Sequence, residues 1–278
     1  MRRLLRVAAV LLVSAAPACT GMRDAPIVGP SVLTGGGRER VFADDFESGT
    51  LDAWQDGVNP ALHRIVTDPA GAQSGSRYLA VTFPQGRDGG WLTRFFMPGS
   101  DTAYVSYHVR FPADWTGGPK LIAFYGSRID NQWSGFGRAG LCPDGSDFFA
   151  AMVVTENNGD PGPVRFYTYY PAMRRDGDGT CSGRYGDGSE TYVPPLSLTR
   201  NAWHRIELSV QLNTPGQSNG RQMFWIDGVQ RGSWSGIRFR ETDALRLNAV
   251  QLTFSFTGGV PRSQELHVDN LVVLSARP

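Results

Sequence analysis

The chain has 278 residues, a formal net charge of +1 and 19% charged residues, together with 34 glycines, 18 prolines and 11% aromatic residues. A charge this close to zero gives no overall attraction to nucleic acid or anionic lipid, so a local cluster of side chains must hold any anionic ligand. The composition favours one folded domain rich in strands and turns, and it excludes a helical bundle.

Residues 1–18 resemble an export signal. Arg2, Arg3 and Arg6 precede an apolar stretch at 7–13 and a small-residue end at 16–18. The apolar stretch is too short to remain as a membrane-spanning helix, and we expect the segment to be removed. The protein is therefore predicted to be exported, with no transmembrane segment.

Residues 19–40, with two prolines and a run of three glycines, are predicted to be a flexible tether. Cys19 resembles the lipid-attachment cysteine of bacterial lipoproteins, although Ala16 stands where leucine is usual. Ordinary cleavage after Ala18 is the alternative. The two alternatives predict a lipoprotein of the bacterial cell envelope or a secreted protein, respectively, and membrane contact only through the lipid.

The remainder of the chain shows the two-residue period of β-strands. Apolar and polar residues alternate in 103–111 and again in 203–213. Asp227 and Gly228 stand between two strand-like runs and predict a tight hairpin. Further strands are predicted at 78–83, 121–125, 148–155, 164–170, 250–256 and 266–274. Many short strands without a helical period predict an all-β, antiparallel two-sheet jelly-roll sandwich over residues 41–278.

Two of the three cysteines are predicted to pair. With Cys19 set aside, Cys142 and Cys181 remain as an even pair in an exported, oxidising context, which predicts a disulfide. The bond would fix the glycine- and aspartate-rich loop 174–188. This loop is interpreted either as a tolerated surface insertion or as a shaped wall beside a groove.

Lys120 is the only lysine in the chain, against 26 arginines. A lysine loses its proton readily when it is partly desolvated, whereas an arginine stays protonated, so a site that takes up a proton cannot exchange one for the other. We predict that Lys120 is a catalytic base or a partner for a substrate carboxylate. The alternative is a residue left over in an arginine-rich composition.

The predicted strand 164–170 places Arg165, Tyr167 and Tyr169 on one face. Other predicted strands carry His108, Arg110 and Gln251 at polar positions. If these faces line one concave sheet, the groove holds cations, amides and phenols, which suit an anionic sugar. Cross-strand packing is the alternative role for the two tyrosines.

Such a groove is suited to β-elimination of a uronic acid polymer. A cation or amide neutralises the carboxylate, a base removes the neighbouring ring proton, and an acid protonates the departing oxygen. This chemistry needs no metal or organic cofactor. Paired glycosidase carboxylates, a serine elbow and metal-ligand spacing are not found in the sequence. Two interpretations remain for the carboxylates of Asp44, Asp45, Glu47 and Asp269. They lie in solvated turns, or they come together to bind one structural calcium ion.

Several segments resemble polysaccharide lyase family 14, which includes alginate and glucuronan lyases. Residues 117–126 are similar to the family's Gly-Gly-Lys-Leu-Pro-Gly-Leu segment, and residues 210–216, 225–228, 238–240 and 268–271 to its later strands. The likeness runs from about residue 42 to residue 274. It implies a jelly roll with a substrate groove, a catalytic lysine at Lys120, and a tyrosine of the family's Tyr-x-Tyr strand, Tyr167 or Tyr169, as proton donor or co-base.

The sequence departs from the family at two places. Pro119 precedes the lysine, whereas the family proline follows the Lys-Leu pair, and the family's Ser-x-Arg strand is matched by the apolar residues 148–152. We hypothesise that Arg138 or Arg165 replaces the carboxylate-binding arginine. The sequence thus predicts a monomeric lyase acting on an anionic polysaccharide. The alternative is a noncatalytic carbohydrate-binding protein on the same scaffold.

Overall fold

The computed structural model describes residues 39–278. The predicted export signal, Cys19 and the tether up to residue 38 therefore lie outside the described residues. Within the described range, no helix is long and apolar enough to cross a membrane.

The described residues form strands and no helix. The strands are β1 Arg40–Asp44, β2 His63–Thr67, β3 Arg77–Phe83, β4 Trp91–Ser100, β5 Thr102–Arg110, β6 Lys120–Arg128, β7 Phe148–Thr155, β8 Val164–Tyr169, β9 Thr191–Tyr192, β10 Trp203–Gln211, β11 Gly220–Ile226, β12 Val229–Ile237, β13 Leu245–Thr253 and β14 Gln264–Leu274.

The strands assemble into two antiparallel sheets. The nine-stranded sheet has the order β2-β3-β14-β5-β10-β11-β12-β9, with β1 also paired to β14. The five-stranded sheet has the order β4-β13-β6-β7-β8. Several neighbours in the sheets, such as β14 with β5 and β13 with β6, are far apart in the chain, as in a jelly roll. The predicted all-β, two-sheet jelly-roll sandwich is confirmed.

The core lies between the two sheets. On β8 the buried residues Val164, Phe166 and Thr168 face inward, and the ring of Phe166 meets that of Phe224 on β11 with centroids 5.0 Å apart. Edge-to-face contacts of this kind join the sheets through aromatic packing. Because side chains alternate along a strand, the other residues of β8 are left on the outer face of the five-stranded sheet.

Most strands lie where the two-residue period predicts them. The predicted hairpin is also found, since Asp227 and Gly228 join β11 to β12 with φ values of 52° and 78°, as a two-residue turn requires. Four strands, β1, β2, β4 and β9, were not predicted. The strand β4 contains the pair Pro98-Gly99, which has the composition of a turn. The strand predicted at 250–256 corresponds to β13, which begins earlier, at Leu245, and ends at Thr253.

The predicted disulfide is present. Cys142 and Cys181 are bonded, with their Cα atoms 5.0 Å apart. Cys142 lies in the β6–β7 connection, residues 129–147, and Cys181 lies in the β8–β9 connection, residues 170–190. The bond therefore holds together two long loops that lie at the same end of the five-stranded sheet.

Removal of this bond is expected to cost about 3 to 5 kcal/mol of unfolding free energy, because the unfolded chain regains the freedom of a loop of 39 residues. The test is urea unfolding of the Cys142→Ser/Cys181→Ser double variant beside the oxidised parent. A parent with its disulfide reduced serves as the control and should match the double variant. A difference from the oxidised parent below about 1 kcal/mol would contradict the expectation.

Candidate active site

The outer face of the five-stranded sheet brings Lys120, Tyr167 and Tyr169 together. Met152 on β7 pairs with Tyr167, and Ala150 pairs with Tyr169. On the other side of β7, Lys120 pairs with Val154. Residues in register on neighbouring strands share a face. The lysine and the two phenols are therefore separated only by the small and apolar side chains of β7.

Two adjacent cavities open on this face, and Lys120 lines both. The first has a volume of about 150 Å³, and the second of about 60 Å³. Tyr169 lines the first cavity and Tyr167 the second. We call the two cavities together the Lys120 groove. Other residues lining the first cavity are Tyr125, Gly135, Gly137, Arg138, Ala139, Phe148, Ala150 and Met152, and those lining the second are Gly118, Val154, Thr155, Asn157, Tyr185, Ser255 and Thr257.

Two glycines allow the loop before β6 to deliver Lys120 to this position. Gly117 has φ +80°, and a Cβ there would lie 2.2 Å from the ring of Phe256. At Gly118 a Cβ would lie 2.1 Å from the carbonyl oxygen of Glu156. Only glycine fits such close approaches. The backbone N–H of Lys120 then donates to the carbonyl of Ser255 at 2.9 Å, which fixes the start of β6.

The surroundings of Lys120 shift its protonation equilibrium toward the free amine. Its Nζ lies 5.1 Å from the centroid of the Tyr167 ring. Burial lowers the pKa of Lys120 below its ordinary value, and the carboxylate of Asp88 opposes part of this effect. A lysine with a lowered pKa has a larger fraction of free amine near neutral pH, which is the form that accepts a proton.

The two phenols lie side by side. The rings of Tyr167 and Tyr169 are 6.0 Å apart at an interplanar angle of 79°. Burial, and then the neighbouring phenol of Tyr169, raise the pKa of Tyr167 well above its ordinary value. Tyr167 is therefore protonated throughout the neutral range, as a proton donor must be.

The β8–β9 connection forms a wall of the groove. A Cβ at Gly183 would lie 2.3 Å from the Tyr167 ring, so the loop backbone packs directly on that tyrosine. The ring of Tyr185 lies 5.3 Å from that of Tyr167 and lines the second cavity. Of the two interpretations of this loop, the structure favours the shaped wall, and Cys181 fixes it to the opposite loop.

Arg138 reaches the groove from the β6–β7 connection. Its guanidinium lies over the ring of Phe148 at 5.5 Å, and its Nε donates to the carbonyl of Ser134 at 2.6 Å. The guanidinium of Arg138 also forms an ion pair with the carboxylate of Asp147, with Nη2 and Oδ2 3.7 Å apart. Arg138 lines the first cavity beside Tyr169. It is thus placed to meet a carboxylate held there.

Arg165 shares the face of Tyr167 but is engaged elsewhere. It forms an ion pair with Glu156 at 3.7 Å and stacks on the ring of Tyr192 at 4.4 Å. It lines neither cavity of the groove. Of the two arginines hypothesised to replace the family arginine, Arg138 is therefore the better placed.

Gln251 lies on the same face but is not placed to bind substrate. Its Nε2 donates to Thr93 Oγ1 and its Oε1 accepts from Thr253 Oγ1, both at 2.8 Å. The side chain is buried and lines neither cavity. Its amide joins β13 to β4, so the predicted substrate-binding role is corrected to a structural one.

His108 and Arg110 are not brought to the groove. Both lie on β5 in the nine-stranded sheet, on the face turned away from the core, whereas the groove is on the five-stranded sheet. Arg110 stacks over Trp203 at 4.9 Å and donates to Nδ1 of His267 at 3.1 Å. The predicted substrate-binding role of His108 and Arg110 is therefore corrected. Alternation along a strand indicates on which face of its sheet a side chain lies, but it does not indicate which of the two sheets contains the strand.

The acidic residues near the chain ends do not form a cation site. Within residues 39–278, no group of three or more His, Cys, Asp or Glu side chains is arranged to hold a metal ion. Asp44 accepts from the indole of Trp54 at 2.8 Å, Glu47 from the backbone of Arg77 at 2.6 Å, and Asp269 from the backbone of Gln73 at 2.9 Å. These carboxylates bind N–H groups and stabilise turns.

The sequence did not indicate Tyr125 as a residue of the groove. Strict alternation would place Lys120 with the core residues Ile122 and Phe124, away from Tyr125. A register shift between Lys120 and Ile122 reverses this parity, so Lys120 and Tyr125 share the outer face. Such a β-bulge redirects side chains near a site and leaves no distinct pattern in the sequence.

The fold and the groove define the class of this protein as a β jelly roll with a cleft lined by a lysine and tyrosines. Residues 77–270 match the family model described as Polysaccharide lyase 14, and the chain belongs to that family. The resemblance found in the sequence is thereby confirmed. Among curated proteins, no sequence matches this chain.

Solved structures share the fold. The alginate lyase vAL-1 from Chlorella virus superimposes with a TM-score of 0.64 at 15% identity, over 85% of this chain and 100% of that one. The marine PL-14 alginate lyase from Aplysia kurodai gives 0.63 at 17% identity, over 85% and 99%. Alginate lyase Aly36B gives 0.56 at 24% identity, over 78% and 84%.

Proposed function

We propose that the protein is a polysaccharide lyase that cleaves a uronate-containing polysaccharide by β-elimination in the Lys120 groove. The observation that carries the proposal is the position of Lys120, with its lowered pKa, between the Arg138 cavity and the phenol of Tyr167. Membership of polysaccharide lyase family 14 supports it. So do fold relatives described as an alginate lyase in complex with alginate trisaccharide and as a glucuronan lyase from Trichoderma reesei.

The uronate that loses its proton is assigned to the first cavity. Arg138 binds its carboxylate there and withdraws charge from the ring, which makes the proton on C5 more acidic. Residues 148–152, which resemble the family's Ser-x-Arg strand, offer only apolar and small side chains to this cavity, so we assign the carboxylate-binding arginine to the β6–β7 connection instead. Charge-assisted hydrogen bonds to a carboxylate are the strong ones.

Lys120 is the base and Tyr167 the acid. The free amine of Lys120 takes the C5 proton, the C4–C5 double bond forms, and the bond from C4 to the glycosidic oxygen breaks. Tyr167 gives its phenolic proton to the departing oxygen, which lies at the junction of the two cavities because the next sugar occupies the second. Tyr169 contacts Tyr167 and holds its phenol in place. Proton return from lysine to tyrosine completes the cycle.

We further propose that the protein acts as a monomer outside the cytoplasm and that, if Cys19 is lipidated, a lipid anchor attaches it to the membrane. The disulfide between Cys142 and Cys181 supports an oxidising compartment. Mass spectrometry of protein from membrane and medium fractions tests the lipid, and light scattering tests the oligomeric state.

The direct experiment is incubation of the mature protein with alginate, glucuronan and other uronate polymers while absorbance is followed at about 235 nm, where the unsaturated product absorbs. A rise in absorbance supports the lyase. The competing function is noncatalytic carbohydrate binding, which the absence of a Ser-x-Arg pair from residues 148–152 favours. Retention on the same polymers without any rise would support that function instead.

Replacement of Arg138 by alanine is expected to lower kcat/KM on a uronate polymer by about 10²-fold, because a charged hydrogen bond to the substrate carboxylate is lost. Arg165→Ala is the matched control, since that guanidinium has a carboxylate partner at the same 3.7 Å as Arg138 but lines neither cavity, and we expect less than about a 3-fold change. Initial rates with both variants decide the question. Equal losses, or a larger loss in Arg165→Ala, would contradict the assignment of the carboxylate to Arg138.

A further inference from the structure

The groove contains little positive charge for an enzyme of anionic polymers. Of all the residues that line its two cavities, Lys120 and Arg138 are the only ionisable cations, and neither cavity contains a carboxylate. The remaining lining residues are aromatic, apolar, small or neutral and polar. If Arg138 binds one uronate and Lys120 acts as a neutral base, no further cation in these cavities remains for the neighbouring sugars.

Three arginines on the strands and loops that carry the groove, Arg128, Arg165 and Arg184, are already paired with carboxylates. Arg128 donates two hydrogen bonds to Asp130, at 2.8 and 2.7 Å. The other pairs are Arg165 with Glu156 and Arg184 with Asp176. A polymer with a carboxylate on every sugar would place further anions beside these neutral pairs. Desolvation of an anion without a new partner is unfavourable.

Aromatic rings lie beside the first cavity and in the second. From Tyr125 in the first cavity, the ring of Phe136 follows at 4.6 Å in a stacked arrangement, and Trp133 lies 5.8 Å beyond it. Trp133 is 49% exposed, and at the other end of the groove Tyr185 is 47% exposed. Exposed aromatic faces continuous with a binding cleft indicate a ligand surface.

We infer that the substrate is a heteropolysaccharide in which neutral sugars flank the uronate at the cleaved linkage, and that Trp133 and Tyr185 bind these neutral sugars by stacking against their C–H faces. This inference rests on the proposed lyase function. Arg138 binds one uronate carboxylate in the first cavity, while the aromatic ends of the groove take uncharged pyranose rings. The polymer therefore carries well-separated carboxylates.

The experiment compares two classes of polymer with the full mature protein. One class is homopolyuronate, represented by alginate and glucuronan. The other contains glucuronate separated by neutral sugars, represented by hyaluronan and by gellan. Elimination is followed at about 235 nm, and binding by retardation in gels containing each polymer. We expect kcat/KM on at least one mixed polymer to exceed that on both homopolyuronates by about 10-fold or more.

Variants at Trp133 locate the effect. Trp133→Ala should weaken retardation by the mixed polymer and raise its KM by about 10-fold, whereas Trp133→Phe keeps a stacking face and should change KM by less than about 3-fold. Trp91→Ala is the matched control, because Trp91 is similarly exposed, at 46%, but binds Asp56 through its indole nitrogen. It should leave KM unchanged. Melting temperatures confirm that each variant is folded.

The outcomes separate this inference from the proposed function. Faster cleavage or stronger retention of homopolyuronate, or an unchanged KM in Trp133→Ala, would overturn the heteropolysaccharide assignment while leaving the lyase intact. If no polymer is cleaved, the proposed function fails. Even then, binding can test the sugar-binding assignment. The assignment is supported if mixed polymers retard the protein, homopolyuronates do not, and Trp133→Ala abolishes the retardation. It is overturned if only homopolyuronates retard the protein.

Discussion

Replacement of Lys120 by alanine is expected to reduce the rate of unsaturated-product formation by about 10³-fold or more, because the groove then contains no amine to accept the C5 proton. The side chain lines both cavities and contacts the Tyr167 ring, but it lies at the edge of the core, so the melting temperature should change little. The measurement is kcat on a cleaved polymer together with thermal unfolding. A variant that retains more than about a tenth of the parent rate would contradict the assignment.

Lys120→Arg separates the two roles predicted for this residue. Arginine keeps the positive charge but does not lose its proton at working pH. If Lys120 is the base, arginine restores no activity. If Lys120 instead neutralised the substrate carboxylate, arginine would restore much of it. The base assignment therefore requires that both variants be equally inactive.

The pH dependence of the rate provides a second check on Lys120. Burial lowers its pKa, so the free amine becomes the main form at a lower pH than for an exposed lysine. Because the free amine is the active form, kcat/KM should rise with pH until the amine is deprotonated and then reach a plateau. It should fall only when Tyr167, whose pKa is raised, loses its proton. The residual rate of Lys120→Ala should not show the rise.

Replacement of Tyr167 by phenylalanine is expected to lower kcat by about 10²- to 10⁴-fold with a smaller effect on KM, because the departing oxygen loses its proton donor while the ring remains. The phenol of Tyr167 is available for this role because burial keeps it protonated. Initial rates over a range of polymer concentrations separate kcat from KM.

Tyr169→Phe is the matched control for this prediction. Tyr169 lies on the same strand and the same face, and its ring contacts that of Tyr167 at 6.0 Å. As a residue that positions Tyr167, it should affect kcat by about 10-fold or less. A larger loss in Tyr169→Phe than in Tyr167→Phe would reassign the acid to Tyr169, which lines the cavity of Arg138.

Local patterns predicted much of the architecture. The period of two in 103–111 and 203–213 marks β5 and β10, and Asp227-Gly228 marks the β11–β12 hairpin. Local patterns failed where a strand contains turn-forming residues, as at Pro98 and Gly99 in β4. In that strand, pairing with β13 decides the backbone conformation, and this contact lies far away in the sequence.

The sequence by itself determined the class of fold and the disulfide between Cys142 and Cys181, and it singled out Lys120 and the tyrosine strand as the predicted site. These features depend on short spacings, on the even number of remaining cysteines and on a single unusual residue. Only the tertiary structure decided which polar residues meet. His108 and Arg110 lie on the other sheet, a β-bulge turns Lys120 toward Tyr125, and a loop fixed by Cys142 brings Arg138 into the groove in place of Arg165. Alternation along a strand fixes the face of each side chain, but the pairing of distant strands and the course of long loops fix what that face meets.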